Sequence, residues 1–157
     1  MEEVRAALEG RMELHHPPIP ECSSYRELSS FSRHKTTPYG EGVRAACGNT
    51  ACCDHSGRSS SISPDWAGPA WYRFTGQAGT QMPDSPPAED HCGAYVPGWL
   101  AGGHPGPGQQ VSRTVNFHHA GNTAYWSVGV SVTHCPGGYY VYRLPEAPSC
   151  ALAYCGE

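Results

Sequence analysis

The sequence predicts a small, mostly β domain, at most a small α+β fold. It would be disulfide-rich, with short antiparallel strands and hairpins joined by long irregular loops. Three observations carry that expectation. Trp126, Val128, Val130 and Val132 alternate with Tyr125, Ser127, Gly129 and Ser131, the period-two pattern of a strand with one buried face. The 157 residues include 19 Gly and 15 Pro, a composition that favours turns and short strands over helices. Eight cysteines, an even number, offer up to four bridges to a chain whose irregular structure buries little apolar surface. In the chain-entropy model a long-loop disulfide contributes about 4 kcal/mol, comparable to a domain's whole net stability.

The alternating run leads into a hairpin. Gly137-Gly138 supplies a turn where positive φ costs little, and Tyr139-Tyr140-Val141-Tyr142 continues with residues suited to a half-buried pleated surface. Residues 125–134 are expected to pair with 139–144, with Cys135 at the neck. Pro145 and Pro148 end the second strand because proline cannot donate to a ladder. Upstream, Trp71 to Phe74 reads as a short strand turned by Gly76 to Gly79, and Val111, Arg113, Val115 and Phe117 alternate as another. Tyr25, Leu28 and Phe31 recur at threefold spacing, which suggests one or two helical turns over Ser24 to Phe31. Met82 to Glu89, proline-rich and acidic, should be extended and exposed. Trp71, Trp99 and Trp126 are expected in the core. Gly102 to Gly108 has almost no potential for regular structure.

Residues 1–21 read as a tail or linker, with a short amphipathic run at Val4, Leu8 and Met12 that His15 to Pro20 ends. Residues 22–157 form the domain proper, with a Ser/Cys-rich insertion at about 45–69 expected to be a long loop. No apolar run approaches the roughly 20 residues of a membrane-spanning helix, so this segment should not insert in a membrane. Net charge is −4 with only 10 Lys+Arg, which gives no basic face for nucleic acid. The cystine arithmetic points to an extracellular or secretory compartment. The N-terminus lacks a signal-peptide pattern, so the expectation is a fragment, or a gene model incomplete at its start, unless the thiols are not oxidised.

The runs YGEG, WYRF-GQ-G-QM, HCGAYVPGWL-GGHP, VSR, HCPGGYYVYRL and PSC-LAYC, in this order and with cysteines in register, resemble the cysteine-rich domain of the uromodulin type. The resemblance covers Cys22 to Cys155. It implies bridges Cys22 with Cys135, Cys53 with Cys150, and Cys92 with Cys155. Two further family bridges fail as whole pairs, with Pro86 and Thr123 at one and Asn116 and Ala124 at the other. Cys47 and Cys52 are left over inside the insertion, where they could bridge each other across Gly48 to Ala51. The resemblance implies neighbouring epidermal-growth-factor-like or zona-pellucida domains in a parent glycoprotein. It also implies that a glycan could be presented to bacterial adhesins. Here the loop Ala101 to His104 lacks the family's glycosylation site, and Asn49, Asn116 and Asn122 all fail the N-x-[ST] rule.

Chemistry-bearing constellations are few. Cys47, Cys52, Cys53 and His55 could ligate zinc in a tetrahedron, the basis of an alternative reading as a zinc-stabilised small intracellular domain. Their spacing is not that of a CxxC pair, and cystines in a loop account for them more simply. Ser59 to Ser61 lack a nucleophile elbow, and Asp84, Glu89 and Asp90 sit in a solvated proline-rich stretch. No catalytic residue, cofactor or metal is therefore expected. Tyr139, Tyr140 and Tyr142 cannot all point inward from one strand, which makes them candidate surface contacts for an unknown extracellular protein or glycan. The function predicted is a non-catalytic extracellular structural or recognition module that presents a rigid surface.

Overall fold

The computed structural model describes residues 18–39 and 65–157. These form one mixed seven-stranded sheet ordered β1-β2-β6-β5-β4-β3-β7. The strands are β1 Arg26–Leu28, β2 Ala70–Phe74, β3 Val96–Ala101, β4 Gln110–His119, β5 Asn122–Cys135, β6 Tyr139–Leu144 and β7 Leu152–Tyr154. Among the described residues the only helical segments are single 3-10 turns. The mostly β, disulfide-rich expectation stands.

The central meander β4-β5-β6 follows from local patterning. Val132 lies opposite Tyr142 and Cys135 opposite Tyr139, the hairpin expected from the alternation and the Gly137-Gly138 turn. Val115, Phe117, Val130, Val132, Tyr142 and Leu144 send their side chains to one face, where they are buried. Ser112, Ser127 and Gly129, on the other face, are exposed. At 10 and 14 residues, β4 and β5 are longer than expected, and the outer pairings depart further. Strand β1 runs parallel to β2, and β7 runs parallel to β3.

Several sequence expectations are corrected. Residues 24–31 do not coil: Arg26–Leu28 extends along β2, and Leu28 is fully buried against the sheet core. A threefold apolar spacing over so few residues cannot be told from an edge strand, and pairing with Tyr72 to Phe74 decides it. Trp71, Trp99 and Trp126 are only partly buried. The tryptophan at the centre is Trp66, 5% exposed, which falls in the stretch expected to be loop. It stacks on Tyr72 at 5.0 Å and on Tyr154 at 5.9 Å. Within the proline-rich 82–89 stretch Met82, Pro83 and Pro87 are buried, and Met82 belongs to the hydrophobic core. The Pro83 carbonyl accepts from Leu100 N–H at 2.8 Å.

Strand β7 fits because β3 offers room. A Cβ on Gly98 would lie 2.6 Å from Phe117 Cε2 and 3.0 Å from the Ala153 carbonyl, so only glycine permits that approach. The residues after β7 are clasped from both sides. Lys35 N–H donates to the Gly156 carbonyl at 2.7 Å, and Glu157 N–H donates to the Gln81 carbonyl at 2.7 Å.

Candidate functional site

Two disulfides frame the molecule. Cys22 bonds Cys135 with Cα atoms 5.7 Å apart, and Cys92 bonds Cys155 with Cα atoms 5.4 Å apart. The first fastens the start of the described chain to the neck of the β5–β6 hairpin, across a sequence separation of 113. Neighbouring contacts reinforce it: Tyr139 Oη donates to the Cys22 carbonyl at 2.7 Å, and Glu21 accepts from Thr133 Oγ1 at 2.8 Å and Gln110 Nε2 at 2.7 Å. Cys150 is also disulfide-bonded. Cys47, Cys52, Cys53 and His55 lie outside the described residues, and with them the expected Cys53–Cys150 pairing and the zinc alternative. Among the described residues no group of three His, Cys, Asp or Glu side chains is placed to hold a metal ion.

The three candidate tyrosines separate. Tyr142 is fully buried, so it is corrected from a surface contact to a core residue. Tyr139 and Tyr140 are half-buried and line a cavity of about 280 Å³ together with Arg73, Thr75, Thr80, Gln81 and Gly138. The cavity lies between the Gly76–Ala78 turn that follows β2 and the β5–β6 turn. Strand β2 points Arg73 away from the core, where its guanidinium stacks on the Tyr139 ring at 3.8 Å and donates to Tyr25 Oη at 3.0 Å. Sequence reasoning found the two tyrosines and missed Arg73, Thr80 and Gln81. The WYRF alternation already puts Arg73 on the outward side, and only the unforeseen hairpin-to-turn approach reveals the cavity.

Beneath Tyr140 lies a titratable pair. Tyr142 Oη accepts from Met82 N–H at 2.9 Å and lies 2.7 Å from His104 Nε2. The Tyr142 hydroxyl has a proton to donate as well as oxygen lone pairs, so it pairs with His104 Nε2 in either neutral tautomer of the ring. The Tyr140 ring packs on His104 at 4.3 Å and on His134 at 4.5 Å. Burial pushes the Tyr142 hydroxyl far above its ordinary value. Burial likewise holds the His104 imidazole below 6.5, against the pull of Asp84 and Glu157. A histidine depressed in the folded state is protonated first in the unfolded chain. Stability is therefore full above pH 6.5 and falls as pH drops from there towards the folded value. His104→Gln, which keeps a hydrogen-bonding group, is expected to flatten that acid loss. Urea midpoints taken across the window would check it, and an unchanged slope would refute it.

Residues 72–156 match the family model of the uromodulin-like domain, and the chain belongs to that family. Uromodulin of Rattus norvegicus is 38% identical over 137 residues, covering 87% of this chain and 18% of the relative. Uromodulin of Mus musculus is 34% identical over the same length. The pancreatic secretory granule membrane major glycoprotein GP2 of Homo sapiens is 42% identical over 86 residues, covering 54% of this chain and 16% of the relative. The chain thus spans less than a fifth of the length of the curated relatives it matches. Structural disulfides in a domain of this family place it in an extracellular or secretory setting. Among the described residues no helix is long and apolar enough to cross a membrane.

Proposed function

We propose that this domain is a non-catalytic recognition module of a larger secreted or membrane-anchored glycoprotein, presenting a disulfide-rigidified surface to a protein or carbohydrate. The observation that supports this reading is the cavity lined by Arg73, Tyr139 and Tyr140, set on a sheet held by long-range bridges. A rigid surface binds without first losing the entropy of ordering, so modest contacts suffice for recognition. The chain before β1 and the chain after β7 are both anchored to this sheet, an arrangement suited to a module carried beside other domains, including those of the epidermal-growth-factor-like or zona-pellucida kind. One experiment tests it. The oxidised domain is displayed on arrays of extracellular glycans and ectodomains beside a reduced and alkylated copy. Saturable binding lost with the disulfides supports the module, whereas a folded domain that retains nothing on either array overturns it.

A further inference from the structure

The cavity between the β2 turn and the β5–β6 turn has more hydrogen-bonding capacity than the protein uses. Arg73 spends one amine on Tyr25 Oη and its flat face on Tyr139, which leaves donors on Nε and Nη2 with no acceptor among the described residues. The Tyr140 hydroxyl, the Gln81 amide and the Thr80 hydroxyl, all of residues lining the same cavity, likewise have no side-chain partner there. Glu27 lies opposite Arg73 across β1 and β2, the natural counter-ion, yet its Oε1 accepts from Thr75 Oγ1 at 3.1 Å, and no ion pair with Arg73 forms. A guanidinium held rigid by stacking, with a free edge and no carboxylate of its own, is shaped to receive one. The surrounding hydroxyl and amide groups suit a polyhydroxylated ring. At about 280 Å³ the space is just under the roughly 300 Å³ at which ligand pockets begin, room for a single sugar unit.

We propose that this cavity binds a terminal acidic sugar, with Arg73 taking the carboxylate and Tyr140, Gln81 and Thr80 the ring hydroxyls. The proposal rests on the recognition reading above and names the ligand class of that site. Recognition here is by hydrogen bonds and charge, not ring stacking: Arg73 covers Tyr139, and His104 and His134 flank Tyr140.

The test is a titration of the oxidised, isotope-labelled domain with glucuronate, glucose and glutamate, read by amide and side-chain chemical shifts. Glucuronate should move the signals of Arg73, Tyr140 and Gln81 saturably, while glucose leaves them in place. Arg73→Lys should weaken that binding about tenfold, the loss of a charge-assisted hydrogen bond. Because Arg73 also packs on Tyr139, Tyr140→Phe and Gln81→Ala provide variants that leave the stack intact, and each should weaken binding several-fold. Glu27→Gln should strengthen it by removing a nearby negative charge. Equal shifts with glucose would overturn the carboxylate assignment, and equal shifts with glutamate would overturn the sugar. No shift with any of the three overturns the proposal outright. Array binding that survives Arg73→Lys and Tyr140→Phe would overturn this cavity as the site while leaving the recognition module standing.

Discussion

Replacing Cys22 and Cys135 together by alanine is expected to leave the domain largely unfolded at about 37 °C. The bridge closes a loop with a sequence separation of 113, worth about 5 kcal/mol of unfolded-chain entropy in the loop-closure model. The Cys92–Cys155 bridge, with a separation of 63, contributes about 4 kcal/mol in the same model. Either figure rivals the lower end of a domain's total stability. The effect of the first pair should be larger than its loop alone suggests, because the Tyr139–Cys22 and Glu21–Thr133 hydrogen bonds lose their anchor with it. Thermal melts followed by the near-ultraviolet signal of the tryptophans would show a fall in Tm on the order of 15 °C. A variant melting within a few degrees of the parent would mean that the sheet, not sulfur, holds the two regions together.

A second large effect is expected at a residue with no conspicuous sequence signal. Asp65 accepts from the backbone N–H groups of Ser29 at 3.0 Å and Ser30 at 2.9 Å, and its other oxygen takes Arg33 Nη2 at 2.7 Å. Arg33 is completely buried, and it also donates to the Tyr154 carbonyl at 3.3 Å. Asp65→Ala therefore removes a carboxylate from a buried cation and frees two backbone donors. Losing one member of such a pair costs about 3–5 kcal/mol, since desolvation of the remaining charge is offset less fully. Asp65→Asn, which keeps an acceptor for the backbone but not the charge, should fall between wild type and Ala. Denaturant unfolding of the three proteins would establish the order. Equal stability for Asn and wild type would show that the charge itself contributes nothing.

What could be read in advance was whatever depends on neighbours in sequence. The β5–β6 hairpin is written in the alternation from Tyr125 to Val132 and in Gly137-Gly138, and β4 in Val111 to Phe117. The parallel strands leave no comparable trace. Leu152, Ala153 and Tyr154 are all buried, so no alternation marks them, and Arg26 to Leu28 is too short for any period to show. Trp66 and Asp65 follow a serine-rich stretch that reads as loop, and their importance comes from Tyr72, Tyr154 and Arg33, distant partners. The same limit applies to the cavity. Tyr139 and Tyr140 stood out as more tyrosine than one face can bury, but Gln81 and Thr80 join them only because the chain after β2 folds back beside the hairpin turn. Tyr142 was misplaced for a physical reason: its hydroxyl finds two partners, Met82 N–H and His104, that let a phenol sit inside.

The clasp around residues 155–157 bears on biogenesis. During synthesis Cys22 and Cys92 emerge long before Cys135 and Cys155, and β3 waits for β7 on its outer edge. Until the last of these residues clears the ribosome and the translocation channel, both early thiols are exposed to mispairing and the groove beside Gly98 is vacant. Closure of both bridges should consequently come late in the folding of this domain. Its maturation would then be timed by the arrival of its final strand.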